Sequence, residues 1–307
     1  MANRLIMYTD IFDDSDDAAA LYASTRAGSI DLRLVVTTCD DARTKAAGTK
    51  QFLRLAGRPG VEVRYGKGVS TDDGNFRMQE TAYDFVAGLP LSSSDGELGI
   101  NPGGVAYAAD EINLNPGSYT LLSLAPLTDV AETLKSADPK KLKRVFLMGG
   151  HVGQYDESPN APHHLKKRPD HNFRLDINAA RDVLSSGAEI YIVGKNVGGY
   201  RWLTLEDFEP LSSGNEAQRE LFKMIKQRDR HMKNVLPAGV EPVILMYDLV
   251  ALGAMALGQY FDFRRVEIDT DEKGLTHTKL TNSGNVRGVV GADLPRLKKK
   301  LLDLLMS

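Results

Sequence analysis

From its N-terminus onward the chain alternates between short runs of β-branched and apolar residues and longer stretches of helical character. Residues 4–9, 32–38, 61–65, 119–124, 144–148 and 189–193 read as strands, and 17–27, 42–55, 128–135 and 177–185 as helices. Several runs are too apolar for a sheet with one wet face, so the strands need cover on both sides. Strand–helix–strand repetition supplies that cover when the strands run parallel. The expected class is α/β, with a mostly parallel central sheet flanked by helices. In such sheets ligands sit beyond the carboxyl ends of the strands, so the residues just after each apolar run are where chemistry is sought. Two irregular stretches that follow strands, 66–104 and 149–168, are candidate site walls. Further on, 216–234 and 247–257 read as helices. Residues 264–269 and 275–280, joined by a turn containing Asp271-Glu272-Lys273-Gly274, read as a C-terminal hairpin before a last helix from Leu294.

No repeat of fixed period, low-complexity tract or Pro/Gly/Ser-rich linker divides the sequence, so residues 1–307 are read as a single domain. The 38 Lys and Arg against 41 Asp and Glu leave a formal charge of -3. That balance offers no basic face for phosphates and excludes a nucleic-acid polymer as partner. The single cysteine, Cys39, cannot build an internal disulfide or a Cys-rich zinc site. The N-terminus reaches acids by Asp10, and no apolar run approaches the roughly 20 residues that span a bilayer. The expectation is a cytoplasmic protein without a membrane partner.

The strongest local signal follows the first strand. Asp10, Asp13, Asp14, Asp16 and Asp17 place five carboxylates within eight residues, where a strand should end and a helix begin. A helix N-terminus stabilises an exposed acid by at most about 1 kcal/mol, whereas crowding like charges raises the cost of ionising each one. A bound cation resolves that conflict, and ligands that are all oxygen select calcium or magnesium. A solvated acidic cap is the alternative. An EF-hand fits poorly, because Ser15 stands where its sharp-turn glycine belongs and Leu21 occupies its last ligand position. Asp248 lies in the apolar run Leu245-Met246-Tyr247-Asp248-Leu249-Val250, where an unpaired carboxylate is costly, so it too calls for a metal or a strong hydrogen-bond partner.

These motifs, in this order, resemble the inosine-uridine-preferring nucleoside hydrolase family. Its first strand ends in Asp-Thr-Asp, a short spacer and Asp-Asp-Ala; here the stretch reads Tyr8-Thr9-Asp10, then Asp16-Asp17-Ala18. Leu124-Ala125-Pro126-Leu127-Thr128-Asp129 is similar to the family's Gly-Pro-Leu-Thr-Asn segment, and Phe146-Leu147-Met148-Gly149-Gly150 to its Met-Gly-Gly strand end. Asp170-His171-Asn172 through Asp176 is similar to its stretch of an acid and an Asn before a helix, and Tyr247-Asp248-Leu249 to its His-Asp-Pro segment. The resemblance covers nearly the whole chain. It implies the fold of that family and calcium-dependent hydrolysis of the N-glycosidic bond of a ribonucleoside, ordinary or modified, to ribose and free base. It implies a Ca2+ ion held by Asp10, Asp17, the carbonyl of Thr128 and Asp248, with Asp10 as base toward the calcium-bound water. Asp16 would bind the ribose 2'- and 3'-hydroxyls, and Asp170 and Asn172 the other end of the sugar. The implied partner is a small-molecule nucleoside, and the implied assembly a homodimer or homotetramer.

The departures fall at defined points. Tyr8 replaces the first Asp of the motif. Cys39-Asp40-Asp41 stands where family members commonly have Gly-Asn, which makes Asp41 the counterpart of a substrate-contacting Asn. Tyr247 takes the place of the His that protonates the departing base, and a phenol with a pKa near 10 is a weaker acid than imidazolium. These departures define a second reading: a catalytically weak or inactive ribose- or nucleoside-binding protein on the same fold. His151, His163, His164 and His171 are candidate replacements for the missing imidazole, and Trp202 in Tyr200-Arg201-Trp202 is a candidate stacking residue for a base. Thr128, Asn172 and Asp176 can equally serve as helix caps.

Overall fold

The computed structural model describes residues 2–67, 85–158, 165–199, 202–235 and 244–307. Its centre is a nine-stranded sheet. Strands β1 (Asn3–Thr9), β2 (Ile30–Thr37), β3 (Glu62–Tyr65), β4 (Tyr119–Ser123), β5 (Arg144–Met148) and β6 (Ile190–Val193) run parallel, in the order β3-β2-β1-β4-β5-β6. The chain builds outward from β1 in one direction and then, from β4, in the other. The crevice beyond the carboxyl ends of β1 and β4 is therefore the topological switch point.

Helices cover both faces, as the apolar strands require. Along β1, Leu5 and Met7 point into a core shared with α1 (Asp16–Arg26), α2 (Ala42–Leu55), α7 (Glu216–Val235), α8 (Tyr247–Ala256) and α9 (Leu294–Met306). Ile6 and Tyr8 point into a second core with α3 (Gly104–Leu114), α4 (Thr128–Ser136) and α6 (Ile177–Leu184). The short helix α5 (His171–Leu175) precedes α6. Elements expected from the sequence form within a few residues of their expected bounds.

The C-terminal region differs from the simple hairpin. Strands β7 (Phe261–Thr270) and β8 (Thr276–Leu280) do pair antiparallel, but a further strand, β9 (Val286–Ala292), pairs antiparallel with β7 and parallel with β6. The hairpin is thereby joined to the parallel sheet. Gly288 and Gly291 hide β9 from a propensity reading. Gly288 is demanded by packing: a Cβ there would lie 2.5 Å from Cγ1 of Val152.

Candidate active site

The site begins where β1 stops. The Thr9 hydroxyl accepts the Ile11 N–H at 3.1 Å and donates to the Asp17 carboxylate, so the turn folds back onto the first turn of α1. Asp16 and Asp17 occupy that turn, and Asp248 occupies the first turn of α8, which packs against α1. Two helix N-termini thus aim their partial positive charge at one group of acids. Carboxylate oxygens of Asp16, Asp17 and Asp248 all lie within 4.8 Å of one another, and all three residues are buried. The Asp248 N–H donates to Asp16 at 3.3 Å, and the Asp17 and Asp248 carboxyls hydrogen-bond to each other.

Burial, reinforced by the neighbouring acids, pushes Asp17 and Asp248 well above the usual carboxylate range. Burial and the charge of Asp14 push Asp16 up to about 8. Asp10, buried beside them, is also raised by burial, with Lys45 opposing. Such a cluster needs protons or a cation between its members, and its donors are all hard oxygens. The residues therefore fit a divalent cation of the calcium or magnesium type.

Lys45 is a part of the site that the sequence reading missed. It stands on α2, fully buried, with its Nζ 2.7 Å from Oδ2 of Asp13. Asp13 is pushed up to about 7 by burial, against the pull of Lys45. The only sequence signal for Lys45 is its place on the small-residue face of α2, beside Ala46 and Thr49. Asp14, nearer the surface, pairs with Arg228 of α7 at 2.9 Å.

A cavity of about 270 Å³ opens over these acids. Asp170, His171, Asn172, Lys195 and Tyr247 line it as well. Asn172 donates to the carbonyls of Leu124 (2.8 Å) and Met148 (3.1 Å), tying the ends of β4 and β5 together. Asp170 caps α5 by accepting the Phe173 N–H at 3.1 Å; burial raises its pKa and Lys195 opposes the rise. Burial pushes the Tyr247 phenol up to about 12, so it remains protonated. A larger groove of about 610 Å³ between α2 and α7 is lined by exposed Glu216, Lys223 and Arg230 and gathers no comparable chemistry.

The other candidates make different contacts. Thr128 donates its hydroxyl to Asp176 at 2.6 Å, and Asp176 caps α6. Asp41 is exposed and caps α2 through the Thr44 N–H, outside the cavity. Tyr8 points to the opposite face of the sheet and bonds Thr133 at 2.6 Å. Trp202 packs half-buried against the core, and its carbonyl accepts Lys298. His151 is buried and stacked on Tyr155, ring centroids 4.2 Å apart. His163, His164, Tyr200 and Arg201 lie outside the described residues.

Comparison with known proteins agrees with this architecture. The chain is 28% identical over 277 residues to "Probable uridine nucleosidase 2" of Oryza sativa subsp. japonica, covering 86% of this chain and 78% of the relative. It is 25% identical over 312 residues to "Non-specific ribonucleoside hydrolase RihC" of Shigella boydii serotype 18, covering 98% of this chain and 94% of the relative. Proteins so named are N-glycosyl hydrolases. Among solved structures, the fold matches "Purine-Preferring Ribonucleoside Hydrolase from Gardnerella vaginalis" with a TM-score of 0.81 at 17% identity, over 99% of this chain and 98% of that one. It matches "Plant nucleoside hydrolase - PpNRh1 enzyme" with a TM-score of 0.80 at 20% identity, over 100% of both chains. Residues 5–299 match the family model described as Inosine-uridine preferring nucleoside hydrolase, and the chain belongs to that family of ribonucleoside-hydrolysing enzymes.

Proposed function

We propose that this protein hydrolyses the N-glycosidic bond of a ribonucleoside with Ca2+ as cofactor and Asp10 as the base. The observation that carries this reading is the convergence of Asp16, Asp17 and Asp248, within 4.8 Å of one another, at the cavity lined by Asp10. Asp10, Asp17, Asp248 and the carbonyl of Thr128 would hold the ion. When bound there, calcium lowers the pKa of water and attracts the vicinal hydroxyls of a ribose.

The chain's own groups do the rest. Asp10 takes the proton from the attacking water. Asp16, in the same cluster, accepts hydrogen bonds from the 2'- and 3'-hydroxyls, while Asp170 and Asn172 fix the far end of the sugar. As the carbon–nitrogen bond lengthens, positive charge develops on the ring, and the acidic wall stabilises it. Tyr247, protonated and on the cavity wall, can give its hydroxyl proton to the departing base.

The test is base release from purine, pyrimidine and modified ribonucleosides, with calcium and again after chelation. Release that stops on chelation and returns with calcium is expected. Release indifferent to chelation would sink the cofactor assignment. No release, with ribose still bound, would favour the binding-protein reading, which the weakly acidic Tyr247 motivates.

A further inference from the structure

Lys195 lies outside every motif the sequence singles out. It follows β6 as the first residue of the short helix Lys195–Gly198, and only 5% of it is exposed although it borders the cavity. A buried ammonium needs acceptors for its three donors. Two are backbone carbonyls, of Arg168 at 2.7 Å and Pro169 at 3.0 Å, in the turn just before α5. The Lys195 N–H also donates to the Gly150 carbonyl at 2.9 Å, which anchors the residue to the end of β5.

The anion facing Lys195 is Asp170. That carboxylate is 4% exposed and accepts backbone N–H groups from Gly150, Phe173 and Asn172. Gly149 packs so closely that a Cβ would come within 2.9 Å of Asp170 Oδ1. An ordinary N-cap needs neither such burial nor a buried cation. A carboxyl group offers about four acceptor sites, so one held this way at a cavity wall keeps an acceptor for a ligand donor.

We propose that Lys195 is a positioning residue: its hydrogen bonds to the carbonyls of Arg168 and Pro169 fix the turn that leads into Asp170, and so hold the Asp170 carboxylate at the far end of the sugar, where the reading above puts it and where the exocyclic 5'-hydroxyl lies. This rests on the ribonucleoside reading given above. Lys195 thereby sharpens selection at that end for a free 5'-hydroxyl over a 5'-deoxy sugar, which has no donor, and over a 5'-phosphate, which sets an anion against Asp170. Burial brings the Lys195 ammonium down to about 8, with Asp170 opposing and Arg168 adding to the fall. Selectivity therefore weakens as pH rises past that value. The other titratable groups on this wall are His171 at the start of α5 and Tyr247 on α8.

The experiment compares inosine with 5'-deoxyinosine, and uridine with 5'-deoxyuridine, for the wild type, Lys195→Met and Lys195→Arg. A hydrogen bond to a charged group predicts a wild-type preference for the hydroxylated substrate of about tenfold in kcat/KM, carried mainly by KM. Lys195→Met should reduce that preference to within about twofold. Lys195→Arg should retain it and move the alkaline rise in KM upward by at least about one pH unit, because guanidinium stays charged. Equal slowing of both substrates by Lys195→Met, or an unchanged preference, overturns the proposal, since a merely structural role does not distinguish them. If Lys195→Met does not fold, the alkaline limb of Lys195→Arg decides. If the wild type releases base from no substrate, the ribonucleoside reading fails separately. Calorimetric affinities for ribose and 5-deoxyribose then test Lys195 through the same ratio.

Discussion

The two ends of the cavity treat buried carboxylates in opposite ways. On one wall Asp170 faces a buried lysine, Lys195, and behind the acidic end Asp13 is paired with Lys45. Among the described residues Asp17 and Asp248 have no such partner, and Asp16 feels Arg228, which pairs with Asp14; the three face helix N-termini and one another. A charge that must stay buried permanently is given a fixed counter-charge. A cluster left short of positive charge is arranged for a cation that comes from solution. The contrast separates what the chain supplies itself from what it must bind.

The largest expected effect breaks the acidic end. Asp10→Asn removes both a negative charge and the proposed base, and loss of a general base costs about 10²–10⁴-fold in rate. Kinetics at saturating calcium, with calcium affinity measured in parallel, separate the two roles. Hydrolysis left intact would remove Asp10 from the mechanism.

The paired side is tested by Lys45→Met. Asp13 would be left as an uncompensated buried charge, at a cost of about 3–5 kcal/mol in denaturant unfolding. Combining Lys45→Met with Asp13→Leu should recover most of that loss, since an apolar pair of similar volume often replaces a buried ion pair without penalty. A single variant as stable as the wild type would show that Asp13 is neutral and the pairing idle.

The unpaired trio predicts a pH dependence with a definite sign. Asp16 is raised from 3.8 to about 8, and Asp17 and Asp248 are raised as well. Groups whose folded pKa is raised favour folding most below their unfolded pKa, and that contribution is lost as pH rises through the folded value. Chelated protein should therefore lose stability from about pH 4 up to about pH 8. Calcium at a hundred times its Kd should add about 2.7 kcal/mol near neutral pH. A chelated protein whose thermal midpoint is flat over that window would remove the electrostatic argument for a metal.

The same contrast explains what was legible in the sequence. Asp10, Asp16 and Asp17 announce themselves because like charges crowd one short stretch, and Asp248 because its neighbours are apolar. The parallel sheet is legible because its strands, covered on both faces, are continuous apolar runs. Lys45 and Lys195 are not legible: a lone lysine reads as solvent-facing, and their partners lie 32 and 27 residues away in the chain. Pairing at that range depends on how strands are laid side by side, which no local window contains. Strand β9 is hidden for a related reason, since its glycine at 288 answers to Val152 across the packing rather than to its own neighbours.

Tyr8 carries the smallest expected effect. In the sequence it stands where the family has an acid, which reads as a gap in the site. In the structure strand alternation sends Thr9 toward Asp17, while Tyr8 turns to the other face and bonds Thr133 at 2.6 Å inside the second core. The Thr133 hydroxyl keeps the Asp129 carbonyl as an acceptor at 2.8 Å, so Tyr8→Phe leaves it with a partner. The expected loss is that of one net hydrogen bond, about 1 kcal/mol in denaturant unfolding, with kcat/KM held within about twofold. A fall in kcat/KM beyond about tenfold, with stability unchanged, would mean that position 8 acts on the acids through the strand. The sheet would then transmit from one face to the other, and the separation between site and supporting core would not hold.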